Sequence, residues 1–180
     1  MVGSLDWTPA RLHPELVAPP VATAVAGLDA PDDVLVAAID PDLADTAAFC
    51  ERYGVGLDVS ANCVVLAARR GGETRLAACM VLATTRADVN GLARRTLEAK
   101  KASFAPVDAA VAETGMEYGG ITPLGLPEGW PVLVDGAVAA TDRVVVGSGV
   151  RRSKLLLPGK LLAALPGAVV LDGLGVVPGA

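Results

Sequence analysis

The stretch NCVVLAARRGGETRLAACMVLA, Asn62 to Ala83, is two apolar runs flanking Arg70-Gly71-Gly72-Glu73. A glycine pair between two runs of strand length marks a β-hairpin, because tight hairpin turns need backbone conformations that glycine adopts freely. Around this hairpin the other segments are short. DDVLVAAID (32–40) reads as a strand ending at Pro41, and DTAAFCERYG (45–54) as a short helix between an Asp N-cap and a terminal Gly. ADVNGLARRTLEAK (87–100) carries Val89, Leu92 and Leu97 among charges, as an amphipathic helix does. KASFA suggests a strand, and Pro106 opens a helix that Gly115 ends. Strands are then expected at PVLVD (131–135), RVVVGSG (143–149), SKLLL and AVVLD, with a last helix over PGKLLAAL. Strands outnumber helices and the order is not an alternating βαβα series. The fold class expected is α+β, a curved, barrel-like mixed β-sheet flanked by short helices.

The 180 residues suit a single domain, 1–180, with the first 31 residues as an extension packed on or near it. Hydrophobic residues make up 52% but aromatics only 3%, so small and branched aliphatics must fill the core. Pro, Gly or charge interrupts each apolar run well short of the ~18–20 residues of a membrane span. The N-terminus lacks the basic-then-apolar order of a signal peptide. Three cysteines without C-x-x-C spacing suggest neither a disulfide framework nor a zinc site, and a cytoplasmic location is expected. Net charge is −5, with ten acids against two arginines in residues 1–60 and thirteen cations against ten acids thereafter. That balance excludes a bulk DNA or RNA binder and leaves room for a local grip on a few phosphates.

The usual catalytic constellations are absent. His13 is the only histidine and precedes Pro14 near the terminus, which suits a surface residue. Cys50, Cys63 and Cys79 lie in apolar segments, as inert buried thiols do. Neither a P-loop nor a strand-placed G-x-G-x-x-G occurs, and no metal or cofactor is implied. Three stretches stand out. TGMEYGGITPLGLPEGWP (114–131) either brings bare backbone against a ligand or is a tight crossover. VGSGVRRSK (146–154) suits a phosphate site or a solvated turn equally. ARRTLEAKK (93–101) is a cationic helix end that the helix dipole alone accounts for.

Taken in order, the hairpin, Thr114-Gly115, Gly119-Gly120-Ile121-Thr122-Pro123-Leu124-Gly125, the strand ending at Asp135 and the Arg-rich turn after RVVVGSG resemble the YbaK/EbsC family. These are free-standing relatives of the editing domain inserted in bacterial prolyl-tRNA synthetases, and the resemblance runs from about Asp32 to Asp172. It implies a trans-acting aminoacyl-tRNA deacylase that cleaves the ester of a small or mid-sized mischarged amino acid. Water or the terminal ribose hydroxyl would attack in a preorganised pocket, without cofactor or protein nucleophile. The partner implied is the tRNA acceptor end, with no DNA and no membrane. Catalytic positions carried over are Gly119, Gly120 and Asn62, where a gap-free alignment places the family's lysine; a slip of one residue places it on Cys63. Thr122, Pro123, Ser148 and Gly149 are expected to bind substrate. Lys101, Arg151, Arg152 and Lys154 are expected to contact tRNA phosphates, and one of Lys101, Arg151 and Lys154 could bring the missing cation to the pocket. The alternative is a non-catalytic relative that binds a small ligand or the acceptor end.

Overall fold

In the computed structural model, residues 2–179 are described. Strand β1 (Thr8–Pro9) and helix α1 (Pro19–Ala26) precede β2 (Leu35–Ala38) and α2 (Thr46–Tyr53). The expected hairpin is β3 (Ala61–Arg70) and β4 (Glu73–Leu82), paired in register from Ala61↔Leu82 to Arg70↔Glu73. Gly71 and Gly72 form its turn at φ +60° and +85°, a left-handed region that explains why both are glycine. After them come β5 (Arg86–Ala87), α3 (Arg94–Thr96), β6 (Lys101–Phe104), α4 (Val107–Thr114) and β7 (Val132–Asp135). The chain closes with α5 (Gly136–Ala140), β8 (Val144–Gly147), β9 (Ser153–Leu157), α6 (Gly159–Ala163), β10 (Ala168–Leu171) and β11 (Gly175–Val176).

The strands form two main sheets and a small third one. A five-stranded sheet has the order β10-β7-β4-β3-β6, parallel across β10, β7 and β4 and antiparallel from β4 through β3 to β6. An antiparallel sheet has the order β1-β2-β9-β8, and β5 pairs with β11. Each strand of the main sheets sends alternate side chains to opposite faces, so one chain builds three apolar clusters. Val36, Ala78, Met80, Val134, Val146, Leu155 and Leu157 meet between the sheets. Leu66, Cys79, Val81 and Leu133 pack on the outer face of the larger sheet. Ala37, Val145 and Leu156 pack with Phe49 of α2 on the outer face of the smaller one. The expected barrel does not form. The sheets stay separate, and among the described residues a single isolated bridge, Ser60↔Val145, links β8 to the residue before β3.

Two segments differ from the sequence expectation. The amphipathic pattern at 87–100 is not one helix but β5, a π-helical turn over Val89–Ala93 and the one-turn α3. The Asp88 carboxylate accepts from the N–H groups of Gly91 (2.9 Å) and Leu92 (2.7 Å) and so caps the N-terminus of the π-helical turn. The first 31 residues, for which composition offered no elements, supply β1 on the edge of β2 and two fully buried α1 side chains, Val21 and Val25. Asp135, the acidic strand end, is buried and accepts from the N–H groups of Leu174 (3.0 Å) and Gly175 (3.1 Å). It anchors the C-terminal segment.

Candidate active site

A cavity of about 580 Å³ opens where the two main sheets meet. Its size falls within the range of ligand pockets. One wall is the start of β3, with Asn62, Cys63 and Val64; the opposite one is Gly147 of β8 and Lys154 of β9. The N-terminal end of α2 closes one side with Ala44, Asp45 and Thr46, and Phe104, Val107 and Ala110 close another. Tyr118, Gly119 and Ile121 of the Gly/Pro loop complete it.

Lys154 is the cation of this cavity and is only 8% exposed. Strand alternation sends it, like Leu156, to the outer face of the smaller sheet, under α2. There its Nζ donates to the Ala44 carbonyl (2.8 Å) and lies 5.2 Å from the centre of the Phe49 ring. Burial pulls its pKa down to about 8, and the nearby Arg151 charge pulls in the same direction, opposed by Cys50 and Asp45. At neutral pH the ammonium remains mostly charged, with donors beyond the one Ala44 takes.

Asn62 is held in turn by α2. Thr46 Oγ1 donates to Asn62 Oδ1 (2.6 Å), which leaves the amide nitrogen, the donor end, for the cavity. Burial pushes the thiol pKa of partly buried Cys63 beside it up, which disfavours the thiolate; that of fully buried Cys79 is pushed up to about 12.

The glycine loop is strapped to the turn between β8 and β9. Gly149 N–H donates to Gly120 O (2.7 Å), Glu117 N–H to Gly149 O (2.8 Å), and Arg151 N–H to Glu117 Oε2 (2.7 Å). The approach is so close that a Cβ on Gly120 would stand 2.7–2.9 Å from the Val150 backbone, and Gly119 takes φ +85° against the Arg151 guanidinium. Only glycine fits both positions. Among the described residues no carbonyl or side chain accepts from the Gly119 or Ile121 N–H, so both donors are open to a ligand.

The other residues singled out from sequence divide by position. Arg151 reaches the rim, where its Nη1 stands 3.6 Å from Asp45 Oδ1 and its Nε donates to Pro41 O (3.3 Å). Arg152 instead donates to Glu15 O (2.6 Å), and exposed Lys101 lies on β6; neither lines the cavity. Thr122, Pro123, Ser148 and Gly149 are buried behind it. The Ser148 hydroxyl lies 3.1 Å from Val150 O and 3.0 Å from Ser153 O and receives the Ser153 hydroxyl at 2.7 Å, so it holds the turn together. His13 pairs with Glu15 on the surface (3.1 Å). Sequence reading passed over Thr46, Phe104 and Tyr118. Thr46 follows the recognised Asp45 cap, whereas nothing local marked the two aromatics.

Among the described residues no His, Cys, Asp and Glu cluster could hold a metal, and no helix is long and apolar enough to cross a membrane. Residues 40–165 match the family model of the aminoacyl-tRNA editing domain. In fold, the chain is similar to a crystal structure of a candidate trans-editing enzyme for prolyl tRNA synthetase, with a TM-score of 0.73 at 21% identity over 86% of this chain and 94% of that one. A scaffold used for computational epitope grafting matches with a TM-score of 0.73 at 22% identity, covering 86% and 95%. A hypothetical protein matches with a TM-score of 0.64 at 21% identity, covering 74% and 85%.

Proposed function

Because this chain belongs to the aminoacyl-tRNA editing domain family, we propose that it is a trans-acting deacylase, freeing a small or mid-sized amino acid from a mischarged tRNA. One observation carries the reading: a buried lysine, Lys154, shares a cavity with the donor end of Asn62 and the open N–H of Gly119. Water adds to the ester carbonyl, the carbon–ribose oxygen bond breaks, and the proton released by water ends on the ribose oxygen. Charge develops on the carbonyl oxygen, and a preorganised ammonium and amide donors stabilise it better than mobile water does. Lys154 supplies from β9 the cation that the resemblance places at the position of Asn62. The apolar side of the cavity, with Val64, Val107 and Ile121, receives the amino-acid side chain. Selection there is by volume, worth ~1–3 kcal/mol per methylene, which suits a second sieve acting after a synthetase. The domain is read as 1–180, with the first 31 residues an extension that the β1–β2 pairing and buried Val21 support. A cytoplasmic location goes with such a substrate.

The test is deacylation of a panel of mischarged tRNAs by the wild type, Asn62→Ala and Lys154→Met. Turnover that Lys154→Met abolishes and Asn62→Ala weakens supports the proposal. No turnover on the whole panel rejects it in favour of a binding-only relative, a reading motivated by the asparagine at position 62.

A further inference from the structure

The chain has six aromatic residues, and two of them are left in solvent beside one cavity. Phe104, the last residue of β6, is 67% exposed, and Tyr118, in the glycine loop, is 62% exposed. Both line the cavity, and half-exposed Val107 lies with them. Scattered exposed apolar side chains are ordinary, but a chain this poor in aromatics has gathered two at one opening. The backbone under Tyr118 is fixed: Gly120 N–H donates to Glu117 O (3.0 Å), and Arg151 Nη1 reaches Tyr118 O (3.5 Å). The ring therefore stands on a rigid turn.

The charge around this opening is not that of a phosphate groove. Lys154 is buried inside the cavity on the Ala44 carbonyl; at the opening Arg151 faces the exposed carboxylate of Asp45, Glu117 is bound to the Arg151 N–H, and Asp108 lies in the first turn of α4. A surface that is aromatic and nearly balanced in charge grips flat, weakly polar groups, and unstacked nucleobases are the flat groups of an RNA end.

We infer that Phe104 and Tyr118 form a stacking platform for the unpaired 3′-terminal bases of tRNA, placing the ester-bearing ribose over the cavity. The identity of the RNA rests on the deacylase reading; the stacking chemistry rests on the two rings. The grip comes from base faces more than from phosphates, so binding falls only shallowly with added salt.

The experiment measures binding by fluorescence anisotropy, with an acceptor-stem RNA hairpin whose unpaired 3′ tail carries an amide-linked alanine that cannot be hydrolysed. Phe104→Ala and Tyr118→Ala should each weaken binding at least about fivefold, while Tyr118→Phe keeps it. A hairpin trimmed of its unpaired tail should bind wild type and variants equally weakly. Both side chains are exposed, so the alanine variants are expected to fold, and thermal melting checks this. The inference is overturned if the wild type does not bind the tailed hairpin, if the alanine variants bind it as well as wild type, or if trimming the tail changes nothing. It is also overturned if the substitutions instead dissolve a dimer seen by sedimentation, since a second copy would then own the surface. The deacylase reading fails separately, on the absence of turnover, because the binding measurement needs none.

Discussion

The β3–β4 hairpin ends in one Gly-Gly pair, and the cavity at the other end of β3 is lined by part of a second. At the tip, Gly71 and Gly72 have nothing within 4 Å of an added Cβ, and only their backbone angles require glycine. At the cavity, Gly119 meets Arg151 and Gly120 meets the Val150 backbone. The same dipeptide therefore answers two demands: one is conformational and local, the other is closeness between chain segments far apart in sequence. Tolerance to substitution should differ accordingly, with harm concentrated where β3 begins.

The largest expected effect is that of Lys154→Met. Removing one preorganised charge donor should lower kcat/KM for deacylation about 10²–10³-fold, whereas Arg70→Met at the hairpin tip should leave it unchanged. Kinetics on one mischarged tRNA check both; equal losses would erase the contrast between the two ends. Stability should move the opposite way from activity. Lys154 titrates near 8 in the folded protein and near its ordinary 10.5 when unfolded. Charged burial therefore costs the folded state about 3 kcal/mol at neutral pH, at about 1.4 kcal/mol per pH unit. Between pH 8 and 10.5 the unfolded chain binds more protons, so the stability of wild type relative to Lys154→Met should rise across that window. Denaturant melts of the pair at several pH values read this directly. If the ammonium works as a charge, catalysis above the spontaneous rate should fall as pH passes about 8; a rise there would make Lys154 a base instead.

A smaller effect separates the two glycine pairs. Gly120→Ala drives a methyl into backbone, for which ~1–3 kcal/mol is expected, and it strains the strap to Gly149, so activity should fall as well. Gly71→Ala meets only the left-handed penalty of ~1–2 kcal/mol and should leave turnover per folded molecule intact. Smallest of all, Gly72→Asn should lie within about 0.5 kcal/mol of wild type, because asparagine tolerates the left-handed region. Melting temperatures beside turnover would sharpen or collapse the distinction.

The parts of this molecule legible in sequence are those set by local rules. The hairpin, the strands of the second half and the helix ending at Gly115 follow from periodicity and from glycine and proline placement. The Gly/Pro loop was legible as a close approach but not for what it approaches, since Val150 and Arg151 lie thirty residues on. Of the four cations read as phosphate contacts, nothing local distinguished Lys154. Its burial depends on Phe49 of α2 and Ala44, just before that helix, lying over β9, a contact between segments more than a hundred residues apart. The helix expected at 87–100 is cut short at both ends: Arg86–Ala87 pair as β5 before the Asp88 cap, and Glu98 takes φ +52° just after Leu97, so only the turns between them are helical.

The isolated bridge between Ser60 and Val145 has a consequence for when the site exists. The cavity takes Asn62 from the larger sheet and Lys154 from the smaller, so neither sheet alone carries the whole site. Assembly of the catalytic wall must wait for the seam to close, a contact of long sequence separation and thus late in folding. A ligand seated there touches both sheets and acts as a rivet, stabilising the joined form by mass action. Opening of the seam should accordingly cost function and uncover the apolar core between the sheets together.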